Sequence, residues 1–245
     1  AYVPASEPDA APTTLPVPQL IARGTLGSPS LLPRFLYFAS DPEPLGLPWT
    51  AGEETATTIA VGTYARVRGQ EAPERVVSSA KSWLCHAGVD RWAPILPFGR
   101  ASAGSGEPFN KKCSPVAASA AYLSHLAAAF FAATGEVLAA QTIVLTVPAS
   151  FDAAARDLTL EAARMAGLGE AVTLLEEPQA ALYAWTNQRG DAFRKELAVG
   201  DKILVVDVGG GTTDFSAIDV QERDGALVLE RIAVGDHILL GGDNM

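Results

Sequence analysis

The chain has 245 residues, of which 48% are hydrophobic and 19% charged, with a formal net charge of −10; such a composition can bury a core, but the acidic balance argues against a nucleic-acid binder, which needs a basic face. Two cysteines, Cys85 and Cys113, cannot build a disulfide framework, so a reduced, cytoplasmic setting is expected. No apolar run approaches the roughly 18 residues that a membrane helix needs, and the opening AYVPASEPDA lacks both a signal peptide's features and an initiator Met, which suggests a chain cut from something longer.

In chain order, ten of the 17 prolines fall within residues 1–50. Proline removes a backbone donor, so short edge strands and turns are expected there, with LLPRFLYF (31–38) as the best strand. Residues 63–86 read as broken helical turns carrying Arg66, Arg68, Arg75 and Lys81, the most basic stretch, and residues 99–112 read as a loop. Ser114 as N-cap, Pro115 in the first turn and Gly135 as the stop then predict one long helix. TIVLTV (142–147) reads as a buried strand ending at Pro148. A helix over about 152–165, capped by Asp152 and stopped by Gly167, follows it. A short strand (172–175) leads through Glu176-Glu177-Pro178 into a helix of about ten residues. The remainder reads as strand and turn. KILVVDV (202–208) runs into Gly209-Gly210-Gly211, a strand follows from Thr212, residues 221–225 turn with Asp224-Gly225 at the tip, and 226–234 pairs back. The class is α/β with mixed β-sheets and flanking helices.

The sharpest chemical feature is Asp207-Val208-Gly209-Gly210-Gly211-Thr212-Thr213-Asp214. A buried strand delivers an Asp at its end, and glycines without Cβ atoms let successive N–H groups converge on an anion. Thr212 and Thr213 add hydroxyls, and Asp207 and Asp214 can hold a divalent cation directly or through water. The pattern implies phosphate with Mg²⁺; the competing reading is a glycine-rich hairpin with Asp as turn former. Neither the P-loop nor the Rossmann fingerprint is present. Cys85-His86 with Cys113 lacks a fourth metal ligand nearby. His125 and His237 read as structural, and Trp83, Trp92 and Trp185 as packing residues.

DVGGGTTDF resembles the second phosphate loop of the actin-like (ribonuclease-H-like) ATPases, specifically of the 70-kilodalton heat-shock chaperone (DnaK-like) family. VLTVPASFDAAARDLTLEAARMAGL (144–168), LLEEPQAALYAW (174–185), SSAKSWL (78–84) and LLPRFLYF fall in that family's order, so the resemblance covers nearly the whole chain. It implies an actin-like ATPase fold and a partial nucleotide-binding domain that uses ATP/ADP and Mg²⁺. Residues 1–187 would be the remainder of the first lobe, with a helical insert over about 31–140, and 188–245 the start of the second. Carried over by position, the resemblance makes Gly209, Gly210, Gly211, Thr212 and Thr213 cofactor-binding, with Thr212 nearest the γ-phosphate. Asp207 would hold Mg²⁺ through water, Glu177 would orient waters near the metal, and Lys81 would stabilise charge on the γ-phosphoryl group. Pro148 and Arg156 would relay nucleotide state to a peptide-binding domain. Bland readings stand beside these: a solvated Lys81, Glu177 as a helix N-terminal acid, Pro148 as a strand end, and Arg156 paired with Asp152 one turn back.

The family's first phosphate loop, D-L-G-T-T, and its adenosine-binding half have no counterpart in the sequence, which makes negligible turnover by this chain alone the expectation. Gln179, Thr213 and Ser150 depart from the family's usual Thr, Phe and aromatic residue, as in a divergent bacterial member. The implied partners are unfolded peptide clients, a J-domain co-chaperone and a nucleotide-exchange factor, with neither nucleic acid nor membrane. Alternatives are another actin-like kinase, of sugar or acetate type, and a non-hydrolysing scaffold.

Overall fold

The computed structural model describes residues 1–39, 45, 58–98, 109–210, 212–235, 238 and 240–242. Its contacts divide the chain into two compact units, one of Ala1–Thr142 with Leu158–Ala171 and one of Ile143–Asp157 with Val172–Met245. Residues 99–108 of the loop expected over 99–112, Gly211 and His237 lie outside the described residues.

The first unit opens with an antiparallel hairpin, β1 (Gln19–Ala22) and β2 (Thr25–Gly27). Three short strands follow: β3 (Leu36–Phe38), β4 (Ile59–Val61) and β5 (Val76–Val77), with β3 in the centre and both neighbours antiparallel to it. Only the end of LLPRFLYF is therefore a strand. Pro33 cannot donate to a ladder, and its carbonyl instead takes the Phe35 N–H at 2.9 Å. All three β3 residues are buried because the strand is covered on both faces. Period-two alternation sends Tyr37 to one side, among Leu20, Tyr64 and Ala65, and Leu36 and Phe38 to the other, among Val77, Ala80, Ala118 and Tyr122.

The layers on those faces are α1 (Thr63–Glu71), α2 (Ala80–Leu84) and α3 (Pro115–Thr134). The stretch expected as broken turns thus contains α1, a 3₁₀ turn (Pro73–Arg75), the two-residue β5 and α2. The strand was hidden because Val76-Val77 is too short to show a period. α3 has the expected ends: Ser114 Oγ accepts the Ala117 N–H at 3.0 Å and Gly135 closes it at φ 75°. By length and composition α3 could also cross a membrane, contrary to the expectation that no apolar run comes near that length. One of its faces, through Ala118 and Tyr122, lies in the core with β3.

Helix α1 begins at Gly62, which has no side chain to cap it, and Gln19 caps it from β1. The fully buried Gln19 accepts from Thr63 N–H at 2.8 Å and Thr63 Oγ1 at 3.0 Å, while its Nε2 donates to the carbonyls of Leu31 at 2.9 Å and Val17 at 3.3 Å. Every polar atom of that amide is satisfied, as burial requires.

In the second unit, β6 (Ile143–Val147) pairs parallel with β7 (Val172–Glu176), from Ile143↔Val172 to Val147↔Glu176. The intervening α4 (Ala153–Met165), of which only the part up to Asp157 falls in this unit, is capped by Asp152, whose Oδ1 accepts the Ala155 N–H at 2.7 Å. β6 is not the buried strand its apolar run suggests: exposure alternates along it, and Val144 is 55% exposed. β7 leads into α5 (Glu177–Arg189), thirteen residues rather than ten, and then a 3₁₀ turn and the short α6 (Phe193–Glu196). The chain ends in an antiparallel meander of β8 (Lys202–Val208), β9 (Thr213–Arg223) and β10 (Ala226–Val234), with β9 central. Its second turn is just Asp224-Gly225, both at positive φ (51° and 77°), the two-residue geometry that matches strand twist. Among the described residues, parallel and antiparallel pairings occupy separate small sheets rather than one mixed sheet. β8 likewise departs from a buried run, with Leu204, Val206 and Val208 exposed on one face.

Candidate functional site

Strands β8 and β9 are in register up to Asp207↔Asp214 and Val208↔Thr213, so the glycine run joins two antiparallel strands as a hairpin end. The Gly209 N–H donates to the Thr212 carbonyl at 2.8 Å and closes the turn. The two carboxylate-bearing residues then face each other across the pair, where opposed Cβ atoms are typically about 5 Å apart. Asp207 is half-buried and Asp214 nearly completely buried; Thr212, next to the turn, is buried as well. Along β9 the even-numbered residues Asp214, Ser216, Ile218 and Val220 form the buried face.

The residues that follow β10 hold this turn. The Thr213 N–H donates to the Ile238 carbonyl at 2.9 Å, and Ile238 N–H returns a bond at 3.3 Å. Thr213 Oγ1 donates to the Leu240 carbonyl at 2.8 Å, and Gly242 N–H donates to the Gly209 carbonyl at 3.0 Å. A Cβ on Gly241 would lie 2.5 Å from the carbonyl oxygens of both Gly209 and Gly210, so this backbone approach requires glycine. Gly209 and Thr213, expected at the phosphates, therefore spend these donors on the protein itself.

The loop between β6 and α4 reaches the same hairpin. Ser150 Oγ donates to Asp214 Oδ1 at 2.9 Å, and the buried Pro148 accepts the Phe151 N–H at 3.2 Å. Arg156 does not pair with Asp152, whose carboxylate is used as the α4 cap. It reaches Glu176 at 2.7 Å and donates through Nε to the Phe151 carbonyl at 3.3 Å. Arg231 of β10 also pairs with Glu176, so one carboxylate, only 14% exposed, ties α4, β7 and β10 together. Nothing in the sequence spacing distinguished Glu176 from Glu177; their difference is that Glu176 ends β7 and Glu177 starts α5.

Glu177 is half-buried in the first turn of α5, which packs on β8. Asp207, Gly209, Gly210, Thr212, Thr213, Glu177, Pro148 and Arg156 thus belong to one unit. Lys81 belongs to the other: it is half-buried in α2, one residue after Ala80 in the core. Among the described residues, no group of three or more His, Cys, Asp or Glu is placed to hold a metal by itself. Cys85 donates its thiol to the Ser82 carbonyl at 3.1 Å, and burial pushes the Cys113 thiol up to about 11, which keeps it protonated and inert.

The donors at the hairpin suit a phosphate with a hard cation. They comprise a half-buried carboxylate, a threonine hydroxyl at the turn, and glycine backbone that a phosphate can approach closely.

A model of the Hsp70 protein family matches residues 56–245. The chain is 36% identical over 190 residues to chaperone protein HscA of Pectobacterium carotovorum, covering 75% of this chain and 28% of that protein. It is 34% identical over 196 residues to HscA of Klebsiella pneumoniae (77% and 29%). With the HscA homolog of Actinobacillus pleuropneumoniae serotype 5b it shares 36% identity over 201 residues (79% and 29%). The chain spans less than a third of the length of these relatives. Such matches place the glycine loop with the Hsp70 family rather than with a sugar or acetate kinase. The family model, which covers more than half of the chain, together with these relatives, establishes that this chain belongs to the Hsp70 family.

Proposed function

We propose that this chain forms part of the nucleotide-binding domain of a chaperone that binds and hydrolyses Mg-ATP, on an actin-like fold, to drive peptide binding and release. The observation that supports it best is the closed glycine turn between β8 and β9, with Asp207 and Asp214 directly opposed beside Thr212. Gly210, Gly211 and Thr212 take the β- and γ-phosphates, while Gly209 and Thr213 hold the turn in shape. Asp207 keeps the water shell of Mg²⁺, and Glu177 orients further waters beside it. Mg²⁺, when held there, would supply positive charge that offsets the phosphates. Lys81 stabilises charge on the γ-phosphoryl group and positions the attacking water, the kind of preorganised electrostatic contact that dominates such reactions. Pro148 and Arg156 relay nucleotide state toward a peptide-binding domain. A cytoplasmic setting, unfolded peptide clients, a J-domain co-chaperone and a nucleotide-exchange factor complete this reading.

Single-turnover ATP hydrolysis by the full-length protein tests it. Lys81→Ala is expected to retain nucleotide binding and to hydrolyse roughly 10²-fold more slowly. Hydrolysis at the wild-type rate in that variant would remove Lys81 from the chemistry, and transfer to a sugar or acetate would overturn the chaperone assignment.

A further inference from the structure

Asp214 is 4% exposed and sits directly across the β8–β9 pair from Asp207. Two opposed carboxylates repel, and a buried one is costly unless hydrogen bonds hold it. Ser150 supplies such a bond, with its Oγ 2.9 Å from Asp214 Oδ1. It does so from the turn that follows Pro148, between β6 and α4, whereas its acceptor lies on β9. That turn is itself fixed: the Phe151 N–H bonds the Pro148 carbonyl at 3.2 Å and Phe151 is buried. The hydroxyl is therefore held where it stands. Phenylalanine at 150 would supply no hydroxyl, and a tyrosine would carry its hydroxyl well beyond the Cβ at which serine carries its own.

We infer that Ser150 is a positioning residue for the cation at the hairpin. By donating to Asp214, it fixes one carboxylate of the opposed pair and so sets how tightly the Asp207 side holds a divalent ion. The inference rests on the Mg-nucleotide reading of the same hairpin. Ser150 touches neither nucleotide nor metal in this role; it acts through Asp214. Loss of a hydrogen bond to a charged group should shift an equilibrium that depends on it about tenfold or more.

The experiment is equilibrium binding of ADP to the full-length protein, by calorimetry, in EDTA and across a Mg²⁺ titration, with no turnover involved. Ser150→Ala and Ser150→Cys, the latter close in size but a weak donor, should bind ADP in EDTA as wild type does. Both should need about tenfold more Mg²⁺ for half of the metal-dependent gain in affinity. Ser150→Thr keeps the hydroxyl and should restore wild-type behaviour. In an Asp214→Asn background, Ser150→Ala should add nothing. If wild type shows the metal-dependent gain and the Ala and Cys variants show it at the same Mg²⁺ concentration, the inference fails and the functional reading stands. If wild type binds no nucleotide, that reading falls and the inference with it.

Discussion

His125 shows how a single polar residue on an apolar helix is accommodated. It lies 5% exposed on α3 with Nε2 3.0 Å from the Pro18 carbonyl, which fixes the neutral ring as a donor to that oxygen. Burial lowers its pKa to about 4, against the smaller upward effect of the Pro18 bond. As pH falls through about 6.5, the unfolded chain takes up a proton that the folded chain refuses until about 4. The stabilisation is therefore complete above about pH 6.5 and declines toward pH 4, by about 3 kcal/mol at 1.36 kcal/mol per pKa unit. Urea unfolding midpoints measured across that window should fall for wild type, and His125→Gln should lose most of this slope. A slope unchanged in the variant would mean that another group is responsible. At this same scale, the sequence left Arg156 with Asp152 as the cheap partner, because i−4 spacing is visible in a string and a contact 20 residues away is not. The helix cap claimed Asp152, and Arg156 turned to Glu176.

At the level of elements, the ends of helices were the most legible features. Ser114, Pro115 and Gly135 bound α3, and Asp152 and Gly167 bound α4, because capping is local chemistry that sequence carries directly. Asp224-Gly225 marked its hairpin for the same reason. Strand burial was less legible. TIVLTV and KILVVDV are mostly apolar, yet exposure alternates along both strands, since burial depends on what covers each face. Illegible altogether was the cap of α1, which comes from Gln19, 44 residues before Thr63. Gly62 makes that capping possible, at φ 101° and with no room for a Cβ: one would lie 2.3 Å from Gln19 Oε1 and 2.8 Å from Leu32 Cδ1. Gly62→Ala should therefore break the buried amide network as well as strain the backbone, destabilising the protein by about 2–4 kcal/mol. A urea midpoint within error of wild type would show that Gln19 can relocate without cost.

For the whole molecule, the glycine hairpin was readable before the fold because its residues are contiguous. What surrounds it was not. Ser150, Ile238, Leu240 and Gly242 are distant in sequence from the hairpin and meet it only in the folded second unit. Lys81 and the hairpin residues lie in different units. A protein that uses the hairpin for Mg-nucleotide must lose metal-dependent affinity when the Asp207 carboxylate is removed. The most direct measurement is a calorimetric titration of Mg-ATP into the full-length protein, wild type beside Asp207→Asn. The account predicts binding by wild type, and in the variant a loss of roughly tenfold or more, consistent with about 1.4 kcal/mol or more from one charged contact. Equal affinity for the two proteins, or no binding by either, would contradict it and leave the hairpin as part of a non-hydrolysing scaffold.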